Sequence, residues 1–138
     1  MGNDSSQFVE VRKSEKHERG LFALKDFRRG ETVYSFPLGR VVSSSQIQGL
    51  SEEERDHLDK VGEDEYEIIQ SPLCYVNHSC DPDIEEALEG RARVGYALRD
   101  IKRGGELTVD YDKTTYLEKP FECHCGSKNC RGLVRGKR

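Results

Sequence analysis

The sequence of 138 residues predicts a mostly β fold with minor helix, built as one domain. Three observations carry this. Short apolar runs are separated by glycine turns, and several of them alternate with polar residues. A clear helix start occurs at a single place. A strand, basic glycine turn and second strand near the N-terminus recur later in the chain.

In order, Phe8-Val9-Glu10-Val11-Arg12 puts Val9 and Val11 on one face and reads as an entry strand. His17-Glu18-Arg19-Gly20 reads as a polar turn, followed by a short apolar strand, Leu21-Phe22-Ala23-Leu24. A basic turn through Gly30 leads to the strand Thr32-Val33-Tyr34-Ser35-Phe36. The passage Ala23-Leu24-Lys25-Asp26-Phe27-Arg28-Arg29-Gly30 is echoed by Ala97-Leu98-Arg99-Asp100-Ile101-Lys102-Arg103-Gly104. Two copies are too few for a solenoid and predict two similar small sheets. Ser51-Glu52-Glu53-Glu54 is a capping box, from which a helix is expected to continue to Lys60 and stop at Gly62. Tyr66-Glu67-Ile68-Ile69, Leu73-Cys74-Tyr75-Val76 and the run from Arg91 to Leu98 return to strand character. The segment after Tyr116 has no periodicity, so something other than a core must order it.

The net charge of -4 argues against generic nucleic-acid binding, which needs a basic footprint. No apolar run reaches the length of a membrane-spanning helix. The start Met1-Gly2-Asn3-Asp4-Ser5-Ser6 lacks the regions of a signal peptide. It fits only a loose myristoylation pattern, which is not read as lipidation. An intracellular protein, cytoplasmic or nuclear, is expected, with its five cysteines reduced. The acids cluster at Glu52-Glu53-Glu54, Asp56, Asp59, Glu63-Asp64-Glu65 and Glu67. They read as a solvated helical face that a basic peptide could approach. The basic C-terminus, Arg131, Arg135, Lys137 and Arg138, likewise reads as solvated.

Cys123, Cys125 and Cys130 place three thiols in one short segment. Structural zinc takes four sulfur or nitrogen ligands in a tetrahedron, so this set is one short. Cys80 is beside a turn, whereas Cys74 lies in an apolar run and reads as a small buried hydrophobe. Cys80, Cys123, Cys125 and Cys130 are therefore the expected ligands of one zinc ion, with His124 as the substitute. The ion would pin the tail against Asn77-His78-Ser79-Cys80.

That tetrapeptide, the stretch Gly105-Glu106-Leu107-Thr108-Val109-Asp110-Tyr111 and the segment from Cys123 to Gly132 together resemble a SET domain followed by its post-SET zinc segment. Arg19-Gly20-Leu21-Phe22-Ala23 is similar to that family's glycine turn. The resemblance implies a SET domain over residues 8–116 and a zinc-binding tail over 117–138. It implies small curved sheets around a knot-like crossing, in which the segment ending at Tyr111 passes the Asn77–Cys80 loop. It implies a protein-lysine methyltransferase that uses S-adenosylmethionine. Carried over by position, Tyr111 is the catalytic tyrosine. Arg19, Gly20, Leu21, Tyr75, Asn77 and His78 would contact the cofactor, and Leu133 would help cover its adenine.

The chemistry suits those residues. A lysine with a pKa near 10.4 must lose a proton before it can take a methyl, and an apolar channel favours that loss. A tyrosine hydroxyl can orient amine and methyl as a fixed dipole, and is a poor base at its ordinary pKa of about 10. Val109 stands where many relatives have an aromatic residue, so the channel is expected to be wide enough for an already methylated lysine. Ser35-Phe36-Pro37-Leu38-Gly39 replaces the family's Glu-Tyr-x-Gly stretch at the substrate groove. The expected partner is a basic protein or peptide such as a histone tail, and a homodimer could supply missing groove walls. The competing reading is a catalytically silent module that binds basic peptides.

Overall fold

The computed structural model describes residues 8–15 and 17–137; the Met1-Gly2 start and Arg138 lie outside them. The chain begins with β1 (Val9–Lys13), β2 (Arg19–Ala23), β3 (Thr32–Pro37) and β4 (Val41–Val42). Two single-turn helices follow, α1 (Ser44–Ile47) and α2 (Glu52–Arg55). Next come β5 (Leu58–Gly62), β6 (Glu65–Ile68), a 3-10 turn at Leu73–Tyr75 and β7 (Asn77–His78). The strands β8 (Ile84–Glu89), β9 (Ala92–Ala97) and β10 (Glu106–Val109) precede a last helical turn, α3 (Tyr111–Thr114). β11 (Phe121–Glu122) and β12 (Leu133–Val134) form the tail. The expected mostly β fold with minor helix is the one observed.

The strands form sheets in the orders β1-β2-β10-β7, β3-β9-β8 and β4-β6-β5, plus a β11-β12 pair. β10 is inserted between β2 and β7, antiparallel to the first and parallel to the second. A strand late in the chain thus closes between two that precede it, one of them near the N-terminus, and this crossing carries Tyr111 to the Asn77-His78 strand. The main core packs Leu21, Val33, Tyr34, Ile84, Leu107 and Val109 between the first two sheets. A second cluster, including Val42, Ile47, Leu58 and Ile68, sits under the third sheet.

The internal echo is a local two-fold. Phe27 and Ile101 exchange both backbone hydrogen bonds at 2.8 Å. Asp26 Oδ1 accepts from the Arg103 N–H at 2.8 Å, and Asp100 Oδ1 accepts from the Arg29 N–H at 2.9 Å. Gly30 N–H donates to Ala97 O, and Gly104 N–H donates to Ala23 O, each at 2.8 Å. Both glycines have positive φ, 90° and 88°, where a side chain would be strained. Each copy therefore crosses between the same two sheets and clasps its twin, which is why the aspartates and glycines recur at matching places.

Several local expectations change. The Ser51 capping box forms, with Glu54 N–H donating to Ser51 Oγ at 3.1 Å and Ser51 N–H to Glu54 Oε1 at 3.0 Å. The helix then stops at Arg55 instead of reaching Lys60, because Leu58 and Asp59 are claimed by pairing with β6 and by complete burial. Gly62 ends β5 and is no helix stop. Leu73–Tyr75 is a 3-10 turn and not a strand, and Arg19 and Gly20 are in a strand and not a turn. Ile84–Glu89, which the sequence leaves unassigned, is a strand paired along its whole length with β9. Tyr111 opens α3 and lies outside any strand. The solvated reading fails for Asp59 and Glu67, which are 1% and 4% exposed. It also fails for Lys137, whose Nζ bonds Asp59 at 3.0 Å, while Arg131 pairs with Asp110 and Asp112 but stays exposed, as does Arg135.

Candidate functional site

β7 and β10 run side by side with Asn77 opposite Thr108 and His78 opposite Val109. Asn77 uses both amide hydrogens within the protein, donating to Arg19 O at 2.8 Å and to Glu106 Oε2 at 2.7 Å. Glu106 also accepts from Ser14 Oγ at 2.9 Å. A Cβ on Gly20 would lie 2.3 Å from Glu106 Oε2 and 3.2 Å from Asn77 Nδ2, so any side chain there would have to displace this carboxylate. Leu21 is fully buried and offers the site its backbone alone. The Arg19 guanidinium stands over the Tyr75 ring at 5.8 Å.

His78 is buried. Its Nδ1 accepts from the Tyr111 N–H at 3.0 Å, which leaves Nε2 to carry the proton and point at Cys80 Sγ, 3.4 Å away. Asp110 Oδ1 lies 3.8 Å from Nδ1 in ion-pair range. Burial nevertheless lowers the imidazole pKa, and Nδ1 is already an acceptor, so the ring is neutral. His78 thus connects Tyr111 to the cysteine cluster.

Tyr111 is held from both ends. Asp110 caps α3 through Asp112 N–H at 3.0 Å, and the tyrosine hydroxyl donates to Val76 O at 2.5 Å. Burial, followed by the charge of Glu86, pushes the phenol well above its ordinary range. At neutral pH the hydroxyl therefore keeps its proton and presents a fixed dipole. The ring lines an open cleft of about 1250 Å³ together with Phe22, Asn77, His78, Glu106 and Phe121. It also lines a small cavity of about 20 Å³ with Val76, Val109, Cys74, Glu86 and Arg93. One hydroxyl-bearing ring therefore lines both a large polar and aromatic cleft and a small cavity.

The tail contributes the third part. The sulfur atoms of Cys80, Cys123, Cys125 and Cys130 all lie within 4.8 Å of one another. Cys80 and Cys123 sulfurs are 3.8 Å apart, the edge of a tetrahedron with zinc–sulfur bonds of about 2.3 Å. Arg131 N–H donates to Cys80 Sγ at 3.4 Å, and Asn129 Nδ2 donates to Cys80 O at 3.1 Å. The cluster is compatible with zinc. His124 is exposed and paired with Glu122, outside the cluster. Leu133 pairs with Glu122 in the tail hairpin and is half-buried. Cys74 is half-buried at the small cavity, less enclosed than expected.

Sequence reasoning passed over three residues: Glu86, Arg93 and Glu106. Arg93, 2% exposed, binds Asp59 at 2.8 Å, Glu67 at 2.5 Å and Glu86 at 3.0 Å. The signal for it was a lone arginine inside an apolar strand, flanked by Ala92 and Val94.

The comparisons with known proteins agree with this geometry. A family model for the SET domain matches residues 18–112. The chain is 36% identical over 94% of its length to a Yarrowia lipolytica protein named "Histone-lysine N-methyltransferase, H3 lysine-36 specific". It is 32% identical over 94% to the mouse "Histone-lysine N-methyltransferase SETD2", and 30% identical over 88% to a Plasmodium falciparum "Variant-silencing SET domain-containing protein". It spans 18%, 6% and 5% of those relatives, a small fraction of each. A match across more than half of the sequence settles the lineage: the chain belongs to the SET-domain family.

Proposed function

We propose that this chain carries the catalytic part of a protein-lysine N-methyltransferase, moving a methyl from S-adenosylmethionine to a lysine of a basic protein such as a histone tail. Residues 8–116 form the catalytic body and 117–138 a zinc-bound tail. The observation that carries the reading is Tyr111 lining both the open cleft and the small cavity. The relatives named as histone-lysine methyltransferases favour the same substrate class, which would place the work in the nucleus.

The open cleft suits the cofactor. Glu106 presents a carboxylate to its ammonium or sulfonium, Phe22 and Phe121 offer aromatic faces, and Gly20 gives the backbone room under that carboxylate. Arg19, Gly20, Leu21, Tyr75, Asn77 and His78 would hold it, with Leu133 closing over the adenine from the tail. When bound, the cofactor supplies an electrophilic methyl on sulfur. Cys80, Cys123, Cys125 and Cys130 would hold one structural zinc ion, which locks the tail beside His78.

Tyr111 and the Val76 carbonyl then do the positioning. The hydroxyl bonded to Val76 O marks a fixed polar edge at which a lysine amine can be oriented for in-line attack. Val76, Val109 and Leu73 give the cavity an apolar part, which disfavours the ammonium form, beside the polar Glu86 and Arg93. Calorimetry with S-adenosylmethionine and transfer of labelled methyl to a panel of basic peptides test the reading. Binding together with label on lysine is expected. Absence of both would leave the chain a silent module that binds basic peptides.

A further inference from the structure

Positioning alone leaves one task unassigned, because the lysine ammonium must hand its proton to something. Glu86 on β8 lines the small cavity beside Tyr111, with its side chain 6% exposed. Its Oε1 accepts from Arg93 Nη1 at 3.0 Å and its Oε2 from the Tyr34 hydroxyl. Arg93 is in turn shared with Asp59 and Glu67, and Asp59 takes Lys137. Two cations, Arg93 and Lys137, thus face three carboxylates, Asp59, Glu67 and Glu86. With all five groups ionised the network carries one negative charge in excess, and buried charge that is incompletely compensated is costly.

The cavity adds two facts. Its volume of about 20 Å³ admits a single water-sized group. Arg93 lines it, and Arg93 Nε is a buried side-chain donor with no partner among the described residues. An orphaned buried donor calls for an acceptor such as a water oxygen. A water there would have a donor on one side and the Glu86 carboxylate on the same cavity wall.

Resting on the lysine-methyltransferase reading, we infer that Glu86 is the proton acceptor of the reaction, reached from the substrate lysine through one water bound in the small cavity. One N–H bond of the ammonium breaks and its electron pair stays on nitrogen as the attacking lone pair. The water takes that proton and passes one of its own to a Glu86 oxygen. The lysine becomes neutral and so does Glu86, and the excess charge of the network disappears in the same step. The proton later leaves Glu86 through the cavity to solvent.

The surrounding groups are consistent with that task. Burial pushes the Glu86 carboxyl above the usual range, while Arg93 and the Tyr34 hydroxyl hold it down, so it is a stronger base than an exposed glutamate. Tyr34 from β3 and Tyr111 from α3 are both pushed up by burial, and Arg93 from β9 stays cationic. Asp59 from β5 and Glu67 from β6 are engaged by Arg93. Asp56, His57 and Cys74 also line the cavity.

The test compares pH–rate profiles of wild type, Glu86→Gln, Tyr34→Phe and His57→Gln with one basic peptide. Thermal unfolding of each variant monitors the fold. For Glu86→Gln, kcat at about pH 8 should fall about 10²-fold with little change in KM. The wild-type plateau should become a rise that continues toward the lysine pKa of about 10.4. Tyr34→Phe removes a bond to the ionised carboxylate, so the acidic limb should move to higher pH. His57→Gln should leave the limb in place. In cofactor-free protein, carboxyl-labelled glutamate NMR should show Glu86 titrating above exposed glutamates. If Glu86→Gln does not fold, the Tyr34→Phe limb and the NMR titration decide. Folded Glu86→Gln with an unchanged profile, whatever its rate, overturns this inference alone. Disappearance of the limb in His57→Gln overturns it too. No transfer by wild type overturns the methyltransferase reading and this inference with it.

Discussion

Replacing Arg93 by methionine removes the cation that three buried carboxylates share. Asp59, Glu67 and Glu86 have side chains 1%, 5% and 6% exposed, so none can turn to water. Removing one partner of a buried pair costs about 3–5 kcal/mol, and Lys137 compensates Asp59 alone, so about 4–5 kcal/mol is expected near neutral pH. That is a large part of a typical total stability of about 5–15 kcal/mol. At about 3 °C per kcal/mol the melting temperature should fall by roughly 12–15 °C. The loss carries a pH sign. Glu86 already has its folded carboxyl raised by burial, and without Arg93 that rise grows. An acid whose folded pKa is raised favours the folded state below its unfolded pKa and loses that advantage as pH rises. The destabilisation should therefore be smaller at about pH 5 than at about pH 7.5. Urea unfolding at both values, with zinc present, measures it. A cost below about 1 kcal/mol at the higher pH, or one that grows on acidification, would refute the buried-network argument.

Other outcomes follow from other parts of the site. Native mass spectrometry should show one zinc per chain and none after Cys80→Ser, and zinc retained in that variant would exclude Cys80 as a ligand. Gly20→Ala should push the Glu106 carboxylate off Asn77 and weaken S-adenosylmethionine binding by about tenfold or more, the loss of one charged hydrogen bond. Unchanged calorimetric affinity would remove Glu106 from the cofactor site. Val109, 3% exposed, lines the small cavity with Tyr111, where an aromatic ring would take up room beside the lysine. Wild type should carry a peptide lysine past the monomethyl stage, while Val109→Phe should stop there; a wild type that yields monomethyl-lysine alone contradicts this.

The site was more legible in the sequence than its supports. Asn77, His78, Tyr111 and the four cysteines could be singled out because amide, imidazole, phenol and thiol groups carry their chemistry in their type. The repeat was visible too, though not that its aspartates would clasp each other's backbone. What stayed hidden depends on partners distant in sequence. Asp59 and Glu67 sit in an acidic stretch whose composition says solvent, and Arg93 and Lys137, both far along the chain, draw them inward. Leu58 and Asp59 follow a good capping box, and pairing with β6 overrides the helix that the box begins. Tyr111 follows a strand, and the Asp110 cap turns it into the first residue of a helix.

The central claim is that Tyr111 orients transfer between the two cavities without holding the cofactor itself. Labelled-methyl transfer to a basic peptide by wild type and by Tyr111→Phe, with S-adenosylmethionine affinity measured on both, tests it most directly. Near-equal affinity and a rate lower by about 10²-fold or more are expected for the variant, the usual cost of losing one preorganised dipole. Equal rates for the two proteins would contradict it.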